Sequence, residues 1–237
     1  DHYFMKILQG KSKTVRAKWY KISTCNPDSE LQLINSILSS ISSISSDKGN
    51  RFQTLDKFET KLTKDSDYLW VTLSNHYYPK TLQQYFDELK EDGEDEMTES
   101  EWLSYIYQIA RCLQDLQSLD LIKHHGNLKL SNVFLDEENN VVAIGDFYIK
   151  HITNKVHDDP KLYKTMINHL PPEFFIFNHD RDEYTDVWAL GVMLYQLSRG
   201  GEYPFISETD EEEFDEFVTK RNIINLKYEN IFQRLVI

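Results

Sequence analysis

Strand-forming patterns come first in this sequence of 237 residues, and helix-forming patterns dominate after them. The opening HYFMKILQGKSKTVRAKWYKIS predicts two strands joined by a turn over residues 9–12. The aromatic and β-branched run Tyr68–Leu73 predicts a further, buried strand. With no internal repeat, this order favours an α+β protein with two unlike lobes, a small β-rich lobe and a larger, mainly helical one.

Three later stretches have features that are typical of helices. Pro27–Glu30 offers caps and acidic residues for a helix start, and we expect the serine-rich tract Ser39–Ser46 to end that helix as a solvated loop. Thr98 and Glu101 predict a capping box at the start of a long helix. Val187–Leu197 is apolar nearly all round, which predicts a buried helix.

Charge and composition argue against several classes of function. The formal net charge of −13 speaks against a protein that binds nucleic acid through its phosphates, and against an anionic membrane surface as partner. No apolar run approaches the roughly 20 residues needed to span a bilayer. Cys25 and Cys112 have neither disulfide nor metal spacing, so we expect an intracellular, reducing compartment such as the cytoplasm. The acidic run Glu208–Glu213 is either a solvated surface or a docking site for a basic partner.

Short segments, in order, resemble the signature motifs of eukaryotic protein kinases. Val15–Lys18 resembles V-A-I-K, and His125–Asn132 resembles H-R-D-L-K-x-x-N. Asp146–Tyr148 stands in the place of D-F-G, and Pro171–Glu173 in that of A-P-E. Asp186–Gly191 resembles the helix that anchors the large lobe in this family. The order of these segments and their separations also agree with the family. Together the segments extend the resemblance over nearly the whole chain.

The resemblance implies the bilobal protein-kinase fold, with the N-lobe over residues 1–75 and the C-lobe over residues 76–237. It also implies that the first strand and most of the glycine-rich phosphate loop precede residue 1. The last helices of the C-lobe would follow residue 237. The chain would then be part of a longer protein or complex.

By this resemblance, several residues belong to the phosphate end of a nucleotide site. Lys18 corresponds to the lysine that contacts the α/β-phosphates, and Lys129 to the lysine that neutralises the γ-phosphate. Asn132 and Asp146 correspond to the two magnesium ligands. Ile34 stands where the family has the glutamate that pairs with the strand lysine.

The resemblance also implies an adenine slot. Ala17 and Phe134 correspond to its ceiling and floor, and Phe134 is bulkier than the usual aliphatic residue, so the slot could be partly filled. The backbone of the hinge segment Ser74–His76 would meet adenine. Leu73 would stand at the mouth of the back pocket.

Four departures from the family argue against ordinary phosphotransfer. Asn127 stands where the family has the aspartate that accepts the substrate's proton, and an amide is not a base at neutral pH. Gly126 replaces an arginine that captures an activation-loop phosphate. Tyr148 replaces the glycine of D-F-G, and Thr165–Pro172 lacks the pattern that shapes the platform for peptide substrates.

The sequence therefore predicts a pseudokinase-type scaffold or allosteric protein-interaction domain, not an enzyme, with protein partners and with Mg-ATP binding that is weak or absent. Two alternatives stay open. One is an active Ser/Thr protein kinase with an atypical catalytic loop, which Leu128–Asn132 favours over a tyrosine kinase. The other is a purely structural component of a larger assembly with an empty cleft.

Overall fold

The computed structural model describes residues 2–9, 14–47, 51–65, 67–91, 97–119, 122–136, 141–152, 166–177 and 181–204. Three predicted features lie wholly or partly outside these ranges. They are the turn at residues 9–12, the acidic run Glu208–Glu213 and the segment Thr165–Pro172, of which residue 165 is not described.

Four antiparallel strands form the sheet of the N-lobe, in the order β1–β2–β4–β3. They are β1 His2–Gln9, β2 Thr14–Ser23, β3 Leu55–Leu62 and β4 Tyr68–His76. The strands predicted from the opening residues and from the aromatic run are confirmed, and β4 continues past Leu73. In the register between β2 and β4, Lys18 lies opposite Leu73 and Arg16 opposite Asn75.

Helix α1, Pro27–Asp47, packs beside this sheet and runs through the serine-rich tract. The prediction that Ser39–Ser46 ends the helix is wrong. The hydroxyls of Ser40 and Ser43 donate to carbonyl oxygens four residues earlier, at 3.0 and 3.1 Å, so these side chains are satisfied on the helix itself. Ile41 in the same segment is fully buried. Burial of the apolar stripe therefore stabilises helix where serine propensity alone does not.

The C-lobe combines a small sheet with helices. Its strands pair in the order β5–β6–β7, and its helices lie between β5 and β6 and after β7. The elements are β5 Lys80–Thr81, α2 Leu82–Glu91, α3 Glu99–Gln117, β6 Val133–Asp136, β7 Val141–Ile144, α4 Ile149–Ile152, α5 Pro172–Phe177 and α6 Glu183–Ser198.

Two helix predictions can be compared with this lobe. The Glu101 carboxylate accepts from the backbone N–H and the hydroxyl of Thr98, at 3.0 and 2.6 Å, which confirms the capping box of α3. The bond from the Thr98 hydroxyl lowers the pKa of Glu101. Helix α6 buries Ala189 and Met193, but Val187 is 60% exposed, so the apolar residues of α6 are not buried all round.

A continuous apolar core extends through both lobes. Phe52 is fully buried in this core, where it forms a β-bridge with Ile144 and its ring lies 5.1 Å from that of Phe147. This packing brings the β2–β4 sheet against the segment that follows β7. Within the described ranges, no helix has the length and apolar character required to cross a membrane.

Candidate functional site

Lys18 on β2 and Asp146, which follows β7, form an ion pair across the cleft. The Lys18 side chain is fully buried, whereas that of Asp146 is 16% exposed. Burial lowers the pKa of Lys18 by removing water from the ammonium group, and the Asp146 carboxylate opposes this effect. Ile34 of α1 is buried and apolar, so the acid that pairs with this lysine comes from the C-lobe.

Asp146 has a left-handed backbone conformation, with φ of 61°. Among the described residues other than glycine, Asp146 alone has a positive φ. Aspartate and asparagine tolerate this region better than most residues, yet it still costs about 1 kcal/mol or more. The ion pair with Lys18 therefore holds a strained residue at one fixed place in the cleft.

Asp186 of α6 organises the loop that carries Asn127. Its carboxylate accepts from the backbone N–H groups of His125 and Gly126, at 2.6 and 2.8 Å, and it is only 3% exposed. Gly126 has φ of 68°, a conformation that favours glycine. The buried Arg181 donates from Nη1 to the Gly126 carbonyl at 2.8 Å. Sequence reasoning did not single out Arg181, since no local pattern marks it.

Hydrogen bonds inside the loop hold the two asparagines. Asn132 donates from Nδ2 to the Asn127 carbonyl at 2.8 Å, which leaves its Oδ1 as the atom that a cation would take. The Asn127 N–H donates to His125 Nδ1 at 3.2 Å. The amide oxygen of Asn127 is buried and has no hydrogen-bond partner in the described part of the chain. Burial also lowers the pKa of His125 to about 4, so this histidine is neutral at pH 7.

The predicted magnesium ligands offer one carboxylate and one amide oxygen. Such a pair fits a single hard cation only when phosphates and waters supply the other ligands. In the described ranges, His, Cys, Asp and Glu side chains form no group of three that could hold a metal ion. Lys18 forms an ion pair with the Asp146 carboxylate. Burial lowers the pKa of Lys129, and the same Asp146 carboxylate lies close enough to Lys129 to oppose this effect. This end of the cleft fits an anion better than an additional cation.

Arg16, not Ala17, lies over the predicted floor of the adenine slot. Its Cζ is 4.5 Å from the centroid of the Phe134 ring. Side chains alternate along a strand, so Arg16 and Lys18 share the cleft face of β2 and Ala17 points to the other face. The same alternation, counted from Lys18, was the signal in the sequence that could have identified Arg16.

The space between Arg16 and Phe134 does not admit a purine. A flat ring needs about 3.5 Å to the atoms on each side, or about 7 Å between the two layers. Phe134 is fully buried, and Tyr78 stacks on it at a centroid distance of 5.6 Å. The residues present therefore do not fit adenine at the place that the resemblance assigns to it.

The predicted hinge is also engaged within the protein. The N–H of His76 donates to the carbonyl of Thr54 at 2.9 Å, and the His76 carbonyl accepts from Gln53 Nε2 at 3.0 Å. Ser74 is paired with strands on both sides, opposite Ala17 on β2. The backbone groups of the hinge that were expected to bind adenine therefore form hydrogen bonds within the protein instead. Leu73 is fully buried on the same strand.

Tyr148, in the place of the D-F-G glycine, is built into the core. It is fully buried, and its hydroxyl accepts from Asn75 Nδ2 at 2.8 Å and lies 3.1 Å from Asn75 Oδ1. Asn75 is fully buried as well, so each polar group satisfies the other. A glycine would leave the backbone at residue 148 conformationally free. The hydrogen bond between Asn75 of β4 and Tyr148 instead holds this segment in place.

Gly145 provides the room for the Phe134 ring. A Cβ at residue 145 would lie 2.2 Å from Phe134 Cε2 and 2.7 Å from Gln53 Oε1. We expect Gly145→Ala to lower the free energy of unfolding by about 1–3 kcal/mol, because the buried ring cannot yield easily. Chemical denaturation followed by circular dichroism measures this change.

Gly191→Ala is the matched control. A Cβ at Gly191 meets nothing within 4 Å, and this glycine lies inside α6. Alanine should therefore stabilise the helix by up to about 1 kcal/mol. Equal effects of the two substitutions would contradict the close contact at Gly145.

Comparison with known proteins agrees with this fold. The family described as "Protein tyrosine and serine/threonine kinase" matches residues 52–233. Vascular endothelial growth factor receptor 2 of Danio rerio is 31% identical over 139 residues, which are 57% of this chain and 10% of the receptor. The Aurora kinase of Eremothecium gossypii is 33% identical over 120 residues, 51% of this chain and 31% of that kinase. The probable serine/threonine-protein kinase nek3 of Dictyostelium discoideum is 33% identical over 106 residues, 43% of this chain and 9% of that protein.

The chain spans about a tenth of the receptor's length and less than a third of the Aurora kinase. The family match begins at Phe52, so Lys18 and the first two strands lie outside it. The structure nevertheless places Lys18 against Asp146, which lies within the matched residues. Because the match covers most of the chain and agrees with its bilobal fold, this chain belongs to the family of protein tyrosine and serine/threonine kinases.

Proposed function

We propose that this chain is a pseudokinase-type domain that acts through protein interaction and does not transfer phosphate. The observation that carries the proposal is Asn127 in the base position of an otherwise well-ordered catalytic loop. An amide oxygen accepts a hydrogen bond but does not take a proton at neutral pH. Loss of a general base typically lowers the rate by about 10²–10⁴-fold.

The scaffold around Asn127 supports an interaction role. Asp186 still anchors the loop through two backbone hydrogen bonds, and Lys18 still meets Asp146. The fold is therefore maintained while the proton-accepting group is replaced. We place the N-lobe at residues 1–75 and the C-lobe at residues 76–237, and we propose protein partners in the cytoplasm.

An active Ser/Thr protein kinase is the second candidate. It is favoured by four polar residues that are present around the same cleft, Lys18, Lys129, Asn132 and Asp146. Typical members of the family use ATP and Mg²⁺. In this chain Lys18 and Lys129 would hold phosphates, and Asn132 and Asp146 a metal ion, but the adenine end does not fit.

A phosphotransfer assay distinguishes the two candidates. The full-length protein is incubated with labelled ATP, Mg²⁺ and general protein substrates. We expect no labelling above that of the Lys129→Ala variant, which lacks the amine in the phosphate-neutralising position. Labelling that is clearly present with the unmodified protein and lost with Lys129→Ala would establish the active kinase and overturn the pseudokinase.

A further inference from the structure

Three contacts join the N-lobe sheet to the C-lobe across the cleft. Lys18 pairs with Asp146, Asn75 is bonded to Tyr148, and Arg16 lies on Phe134. The first two involve residues of the segment that follows β7, and the third involves β6. The cleft is thus spanned by the chain's own side chains from the phosphate end to the adenine end.

At the adenine end, Arg16 and Tyr78 both lie against the ring of Phe134. The guanidinium of Arg16 lies 4.5 Å from the centroid of Phe134, and the ring of Tyr78 lies 5.6 Å from the same centroid at an interplanar angle of 23°. Arg16 Nε is buried and has no hydrogen-bond partner in the described residues. Stacking on the aromatic face is therefore the contact that this part of the guanidinium makes.

The position of the Phe134 ring is fixed from behind. Its edge is so close to Gly145 that even a methyl group there would lie 2.2 Å from Cε2. Phe134 belongs to a small buried cluster with Tyr78 and Ala143. The ring cannot retreat from Arg16 into this packing without displacing it.

We propose that Arg16 takes the place of adenine in this chain. Its guanidinium is flat, cationic and able to stack on Phe134 as a purine would, so the side chain fills the slot between the lobes. The lobes are then held together without nucleotide, and the interaction surfaces of the domain do not depend on ATP. This inference rests on the proposed function, in which the domain does not transfer phosphate. A domain whose adenine slot is filled in this way has no place for the phosphate donor.

The test is to create the slot by mutation. Adenosine and Mg-ATP, each up to 5 mM, are titrated into the full-length protein, and the Tm is followed by intrinsic fluorescence. We expect no shift with the unmodified protein. Arg16→Ala should bind adenosine at least about tenfold more tightly, seen as a rise in Tm of about 2 °C or more.

Lys21→Ala is the matched control. Lys21 lies on the same strand and also stacks on an aromatic ring, with Nζ 3.9 Å from the centroid of Tyr68. Alternation along β2 places Lys21 on the face opposite Arg16. Its removal should give no adenosine response.

A second variant covers the case in which the space left by Arg16→Ala is filled by neighbouring side chains. Arg16→Ala combined with Phe134→Leu widens the slot from both sides, and circular dichroism confirms that each variant is folded. Adenosine binding by either variant, but not by the unmodified protein, supports the proposal. Binding by the unmodified protein, or no binding by both folded variants, would overturn it.

The outcomes also separate this inference from the proposed function. If the unmodified protein binds adenosine but transfers no phosphate, the slot is open and the pseudokinase stands. If the unmodified protein transfers phosphate, both proposals fail together.

Discussion

Replacing Asp146 by asparagine is expected to lower the free energy of unfolding by about 3 kcal/mol. The ammonium group of Lys18 is fully buried, and the substitution leaves it without a counter-charge. Asparagine matches aspartate in shape and tolerates the left-handed backbone of residue 146, so the change reports charge and not strain. Urea denaturation at pH 7 measures the loss.

Lys18→Met provides the reverse substitution. It leaves Asp146, which is 16% exposed and can still be hydrated, so we expect less than half of the loss caused by Asp146→Asn. The double variant should resemble Lys18→Met alone, because no buried ammonium remains. Equal losses from the two single substitutions would contradict the asymmetry of burial.

The loss caused by Asp146→Asn should shrink as the pH rises. The pKa of Lys18 is already lowered from 10.5 by burial, and the Asp146 carboxylate is what raises it again. Without that carboxylate the folded state releases the proton at a lower pH, while the unfolded chain keeps it up to about pH 10.5. The unfolded state then binds more protons, so the stability of the variant rises with pH relative to the unmodified protein. A loss that is the same at pH 7 and pH 9.5 would count against the buried ammonium.

Replacing Asp186 by alanine is expected to lower the free energy of unfolding by about 4 kcal/mol. The substitution leaves the backbone N–H groups of His125 and Gly126 without their acceptor, in a place where Asp186 itself is only 3% exposed. An unsatisfied buried donor costs about 1–3 kcal/mol. Hydrogen exchange of the His125 and Gly126 amides should become faster, which reports the loss at the loop itself.

Asp182→Ala is the control for burial. Asp182 also accepts from two backbone N–H groups, those of Tyr184 and Thr185, at 3.0 and 3.1 Å. It is the N-cap of α6 and is partly exposed, so water can replace its carboxylate and the expected loss is about 1 kcal/mol. If both aspartates cost the same, burial of the Asp186 bonds is not what stabilises the loop.

In the cleft, two residues that are bulkier than those of the family, Phe134 and Tyr148, depend on other residues that accommodate them. The bulk of Phe134 requires Gly145 behind it, and its face is covered by Arg16. The bulk of Tyr148 requires a polar partner in the core, which Asn75 supplies. Phe134 and Tyr148 are thus each matched by complementary residues elsewhere in the chain, as expected for a stable, closed cleft.

Local signals in the sequence were sufficient for much of the architecture. The capping box of Thr98 and Glu101 and the strand-forming run from Tyr68 depend on neighbours within a few residues, so they could be identified without a structure. The order of the motifs predicted the kinase fold, which the family match confirms. The prediction that Asn127 stands in the base position likewise comes from the sequence alone.

Features that depend on contacts between residues far apart in the sequence were determined only by the tertiary structure. The serine-rich tract remains helical because Ile41 is buried against the sheet, a contact that propensity does not contain. Lys18 meets Asp146, 128 residues later in the chain, and Asn75 meets Tyr148, 73 residues later. Residue types at such separations show that a pair is chemically possible. Only the packing of the two lobes determines which pairs form, because it alone sets the distances across the cleft.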